Sequence, residues 1–107
     1  MYSALKDIRI IGMAAAVSNT WDSVRELSNE GEQIINKFIK TTGVEGRYSA
    51  APRQCTSDFY FSAAEKILNE KGIDRSEIGV LVFVAQTSDY GIPATACVLQ
   101  HRLGLNK

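Results

Sequence analysis

The sequence predicts an α/β domain, with a parallel strand pair joined by a right-handed crossover and covered by helices. Three observations carry this. Residues 78–85, IGVLVFVA, are apolar almost throughout, as strands covered on both faces of a parallel sheet are. Apolar residues recur at helical spacing over residues 34–39 and again over 59–68. A short apolar run at residues 8–11 precedes both stretches, so the order is strand, helices, buried strand, helix.

In residues 7–10, Asp7 and Arg9 alternate with Ile8 and Ile10. That pattern suits a first strand better than the apolar core of a secretory signal, the alternative for residues 10–17 followed by Ser18. Gly12 and the small residues after it lead into a tight loop, and Ser18-Asn19-Thr20 is turn chemistry. Residues 21–27 are ambiguous, with a helical turn as one reading. Asn29 and Glu32 have the spacing of a capping box, after which Ile34, Ile35, Phe38 and Ile39 form one helical face. Gly43 ends this helix, because glycine takes the left-handed conformation there without strain. Residues 44–53 read as loop with a short strand around Tyr48.

Thr56 or Ser57 is expected to cap the next helix, with Asp58 placing negative charge in its first turn. Phe59, Ala63 and Ile67 form one stripe of it, and Tyr60, Ala64 and Leu68 the neighbouring one. Gly72 stops it, and Ile73 folds back on the last turn. Pro93 suits the first residue of the final helix, where its missing N–H costs nothing. Ala94, Thr95 and Ala96 allow close packing there, Leu99 and Leu103 bury a face, and Gly104 stops the helix.

A chain of 107 residues suits one domain with a modest core. Twelve Lys and Arg balance twelve Asp and Glu, so no basic excess draws it to nucleic acid or to a membrane surface. No segment is long and apolar enough to span a bilayer. Cys55 and Cys97 make no disulfide framework, and with His101 they make no closed zinc site without carboxylate help. Reduced thiols are the expectation for a cytoplasmic protein.

Several motifs stand in one order: T-G-V-E-G-R at 42–47, C-T-S-D-F-Y-F-S-A-A at 55–64, K-G-I-D-R-S-E-I-G-V-L-V-F-V at 71–84, Q-T-S-D-Y-G-I-P-A-T-A-C at 86–97 and Q-H-R-L-G-L at 100–105. Together they resemble the N-terminal half of a β-ketoacyl-acyl-carrier-protein synthase III. The resemblance covers residues 8–105 and implies the N-terminal part of a thiolase-like fold, residues 1–107, lacking its later strands. It implies a homodimer, an acyl-coenzyme A or acyl-carrier-protein primer, and malonyl-acyl carrier protein as the second substrate. No cofactor or metal is implied. The nucleophilic Cys, and the His and Asn that assist it, are expected beyond Lys107.

By the same resemblance, four residues are candidates for substrate binding: Ile92, Lys37, Thr41 and Thr42. Ile92 matches a position that reaches across the dimer into the partner's acyl pocket. Thr42 opens the T-G-V-E-G-R turn that borders the pantetheine tunnel in the family, although Gly43 and Arg47 of that turn have plain readings as helix stop and ion-pair partner. Typical members carry W-I-x-x-R-T-G, whose Trp and Arg grip the coenzyme A nucleotide. Here the segment is K-F-I-K-T-T-G, with Lys37 in place of the Trp and Thr41 in place of the Arg. An aromatic stacking contact and a bidentate phosphate contact are lost, while Lys37 or Lys40 can still act as a point charge.

Cys97 lies within a helix and is expected to be a small core residue. Cys55 lacks a positive neighbour beyond Arg53 that would activate it. His101, one helical turn after Cys97, reads as a surface or packing residue. The resemblance leaves open a specialised polyketide or lipid synthase of the same superfamily, and a catalytically silent partner subunit or stand-alone binding half.

Overall fold

The computed structural model describes Ala4 and residues 6–106. The chain divides into two compact units: Val17–Cys55, and Met1–Ala16 together with Thr56–Lys107.

In the unit Val17–Cys55, Ser18 accepts a hydrogen bond from the Thr20 N–H at 3.1 Å, which makes the expected turn. Strand β1, Thr20–Ser23, follows and pairs antiparallel with β2, Gly46–Ser49, with Trp21 opposite Tyr48 and Asp22 opposite Arg47. The Trp21 and Tyr48 rings meet edge to face at 5.0 Å, a favoured aromatic geometry. The residues left ambiguous by sequence thus divide into a strand and the one-turn helix α1, Val24–Leu27, capped by the Ser23 hydroxyl. Asp22 accepts from the Ser49 hydroxyl across the ladder. Arg47 forms no ion pair among the described residues.

Helix α2, Glu32–Thr42, begins after Gly31, which supplies no side-chain cap. The capping box expected of Asn29 and Glu32 does not form; the Ser28 hydroxyl instead accepts from the Glu30 N–H, turning the chain just before the helix. Ile35 is buried beneath it, and Arg25 of α1 donates to Asn36 at 2.7 Å. Gly43 ends α2 as expected, with φ of 72° and its N–H on the Ile39 carbonyl.

The second unit is built on α3, Thr56–Lys71. Thr56 and Ser57 belong to the helix rather than preceding it, so neither is its cap; Asp58 lies in the first turn as expected. Gly72, at φ of 60°, and the Ile73 N–H on the Leu68 carbonyl close the helix. A 3-10 turn at Arg75–Glu77 follows, capped by Asp74. Helix α4, Thr95–Arg102, packs on α3 through the buried Leu99, Leu103 and Leu68. It starts two residues after Pro93, because Ala94 is still extended at ψ of 137°. Gly104 is left-handed at φ of 64°, and the Leu105 N–H returns to the Gln100 carbonyl.

Residues 8–17 and 78–85 are extended but share no hydrogen-bonded ladder among the described residues, so the expected parallel pair is not formed. The ladder present is the antiparallel β1–β2 pair. Both extended segments lean on α3 by side-chain packing instead. Gly12 lies against Ile67 and Lys71, and the Phe83 ring meets Tyr60 at 5.3 Å. The Tyr60 hydroxyl donates to the Val82 carbonyl at 2.7 Å. In residues 80–84, Leu81 and Phe83 turn inward, whereas Val80, Val82 and Val84 are 80%, 65% and 85% exposed. The apolar run is therefore covered on one face only.

Arg75 binds this unit together. Its guanidinium donates to both carboxylate oxygens of Glu65, at 2.6 and 3.0 Å, and to the Leu103 carbonyl at 2.7 Å. These bonds hold the Glu65 carboxyl below its usual range, chiefly through the Arg75 hydrogen bond, and raise Arg75 above its own.

Candidate functional site

The candidate residues lie in both units. In Val17–Cys55, Lys37 and Thr41 are exposed and stand one turn apart on the same face of α2. Thr42 acts locally. Its hydroxyl donates to the Phe38 carbonyl at 2.8 Å and accepts from the Val44 N–H at 3.1 Å. That arrangement closes the helix end and leads into the Gly43 turn. Lys37 and Thr41 are thus displayed on a rigid helix with open side chains, while Thr42 shapes the turn.

Ile92 belongs to the other unit, at the end of the segment 86–92 that joins the extended run to α4. The residue is 92% exposed, and the peptide bond to Pro93 is cis. The segment is tied to the first turn of α3. Thr87 and Thr56 share a hydroxyl hydrogen bond at 3.2 Å, and the Ser57 N–H donates to Asp89 in a long bond of 3.4 Å. Ser57 is almost wholly buried. Its hydroxyl accepts from Arg102 of α4 at 3.1 Å, and the same guanidinium meets Asp58 at 2.9 Å and lies 4.6 Å over the Phe61 ring. The N–H groups of the first helical turn attract carboxylates, which accounts for Asp58 and Asp89 at this end.

Asp89, Ser57 and Arg102 were not among the sequence candidates. One signal for the first two is visible in the chain: Thr-Ser-Asp occurs twice, at 56–58 and 87–89, and the fold brings the two copies into contact.

Cys97 departs from expectation. It is exposed, because α4 turns Thr95, Leu99 and Leu103 inward and the position two residues after Thr95 faces away. It borders an open groove of about 600 Å³ with Gly79, Leu81, Gln100 and Asn106. His101 is exposed one turn further on, and no hydrogen bond joins the two among the described residues. Cys55 is also exposed. No group of three His, Cys, Asp or Glu among the described residues is placed to hold a metal ion. None of the described helices is long and apolar enough to cross a membrane.

The chain matches no protein-family profile. Among solved structures it is similar to a 3-oxoacyl-(acyl-carrier protein) synthase from Burkholderia xenovorans LB400, with a TM-score of 0.81 and 30% sequence identity. The match covers 88% of this chain and 28% of that one, so the chain spans little more than a quarter of the synthase it resembles. The resemblance drawn from the ordered motifs, and the α/β, thiolase-like fold class it implied, are borne out by this match.

Proposed function

We propose that this chain is part of a 3-oxoacyl-acyl-carrier-protein synthase III-type condensing enzyme, an acyltransferase that initiates fatty acid synthesis. The supporting observation is the structural match at 30% identity over 88% of the chain. In this reading an acyl group passes from its thioester donor to a cysteine thiolate, releasing the donor thiol. Malonyl-acyl carrier protein then loses carbon dioxide, and the resulting carbanion attacks the acyl-enzyme to give the 3-oxoacyl product. In this reading the nucleophile, with the His and Asn that stabilise the developing oxyanion, belongs to the rest of the enzyme and not to these 107 residues.

The residues present here would bind and position. Ile92 would enter the acyl pocket of the second subunit of a homodimer. Lys37, Thr41 and Thr42 would border the path of the donor's pantetheine and nucleotide. Cys55 and Cys97 both precede the position where the family's nucleophile is expected, and neither takes that role in this reading.

Mass spectrometry of the intact protein after incubation with acyl-coenzyme A tests the reading. An acyl adduct on a cysteine beyond residue 107, discharged by malonyl-acyl carrier protein, is the expected result. The 107-residue chain alone should form none. A stable adduct on Cys55 or Cys97, or an intact protein that never acquires an acyl group, overturns it.

A further inference from the structure

We infer that the two Thr-Ser-Asp triplets form a clasp that sets the position of Ile92, making Asp89 and Thr87 positioning residues for primer choice; the link to primer choice rests on the function proposed above. The segment 86–92 has no ladder of its own, so its path depends on side-chain ties. Two such ties run to the first turn of α3, Thr87 to Thr56 and Asp89 to the Ser57 N–H. Through the second tie Asp89 accepts from an N–H in the first turn of α3, a donor that the helix's own carbonyls leave unsatisfied. Ile92 lies three residues after Asp89, with its side chain almost wholly exposed. Within this chain no packing around that side chain fixes where it stands, so the backbone leading to it sets how it is presented to a second subunit.

The anchoring side of the clasp is rigid. Ser57 is buried, and Arg102 holds both its hydroxyl and the Asp58 carboxylate while lying over Phe61. The first triplet is thus fixed to α4 as well as α3. The second triplet borrows that rigidity and passes it to Ile92. Releasing Asp89 should let the segment move without unfolding α3, whose apolar contacts do not involve residue 89.

Asp89→Ala, Asp89→Asn and Thr87→Val in the intact protein test this, with Ile92→Trp as the reference. The amide hydrogen exchange of Ser57 and of residues 87–92 reads the clasp directly. Exchange should quicken at least threefold in Asp89→Ala, with Thr87→Val in the same direction, and return towards wild type in Asp89→Asn, whose side-chain oxygen still accepts. The ratio of kcat/KM for long and short acyl primers reads the link to Ile92. It should shift at least threefold in Asp89→Ala and Ile92→Trp, and recover in Asp89→Asn.

Unchanged exchange in Asp89→Ala removes the clasp. Faster exchange with an equal loss of rate on every primer leaves a structural tie and overturns the positioning role. A ratio that responds to Ile92→Trp but not to Asp89→Ala overturns the inference and leaves the proposed function standing. A wild-type protein without acyl transfer overturns the proposed function and the primer link together, while the exchange measurement still decides the clasp.

Discussion

Arg75 grips Glu65 through two parallel N–H···O bonds and gives a further one to the Leu103 carbonyl, so one guanidinium joins α3, the 3-10 turn and the end of α4. A planar, five-donor group suits this three-way tie, and an ammonium cannot reproduce it. Arg75→Lys should therefore lower the thermal midpoint although charge is conserved. Melting of wild type and variant at neutral pH checks it; equal midpoints would show that charge alone matters.

The same pair fixes the sign of an acid effect. The folded state lowers the carboxyl of Glu65, mainly through the Arg75 hydrogen bond, and that of Asp74, mainly through the Ser76 N–H. A lowered carboxyl contributes stability that is present above its unfolded value and is lost as pH falls through the folded one. The midpoint should drop on acidification below the ordinary carboxylate range. Glu65→Gln should flatten that slope, as measured by thermal melts across the acid range. A slope unchanged in the variant would assign the effect to other carboxyls.

Gly46 leaves no room for a side chain in the β1–β2 ladder. A Cβ built there would sit 2.5 Å from the Asp22 carbonyl oxygen and collide with the Trp21 indole. The oxygen belongs to the paired strand and cannot move without breaking the ladder. Gly46→Ala should cost about 1–3 kcal/mol, the usual range for overpacking. Gly79→Ala is the control, because no atom lies within 4 Å of its built Cβ. Denaturant titration should show the first substitution clearly and the second at no more than about 0.5 kcal/mol.

The helix stops were legible in the sequence because glycine has few substitutes at a left-handed position, and Gly43, Gly72 and Gly104 all adopt it. The helix starts were less legible. Asn29, Thr56, Ser57 and Pro93 all have starting chemistry, yet α2 begins after Gly31 with no side-chain cap, and the Ser57 N–H in α3's first turn meets Asp89, more than thirty positions away. A partner from a distant segment leaves no local pattern. The apolar run 78–85 announced a strand covered on both faces, and the fold covers one, because burial is a property of neighbours rather than of the run itself. Of the candidate site, Lys37 and Thr41 were reached through the motif they depart from, whereas the tie between the two Thr-Ser-Asp triplets needed the fold.

The open face of Val80, Val82 and Val84 should make the 107-residue chain self-associate, since an extended apolar face without a ladder is a template for another chain. Val82→Lys should reduce the association by placing a charge at its centre. The Tyr60 bond to the Val82 backbone carbonyl does not depend on that side chain. Sedimentation equilibrium checks both chains. A wild-type monomer at high concentration, or equal association of the two, would contradict the prediction.

Lys37 and Thr41 stand one turn apart on α2, exposed and able to meet a ligand together. In the resemblance to the synthase III family they replace an aromatic ring and a guanidinium that face the coenzyme A nucleotide. A lysine offers a point charge but no stacking surface, and a threonine offers neither a positive charge nor a forked donor. The intact protein should therefore discriminate weakly between acyl-coenzyme A and acyl-pantetheine, because the nucleotide half contributes little. Lys37→Trp combined with Thr41→Arg should tighten coenzyme A. A charge-assisted contact is worth about 1.5–3 kcal/mol, and an exposed site discounts that through solvent screening, so a gain on the order of tenfold or less is expected. The pantetheine affinity should not change, which separates a nucleotide contact from a general effect on the turn at Gly43. Calorimetric titration of wild type and double variant with both ligands measures this. Equal coenzyme A affinities, or a wild type that already binds coenzyme A far more tightly than pantetheine, would mean that other residues hold the nucleotide.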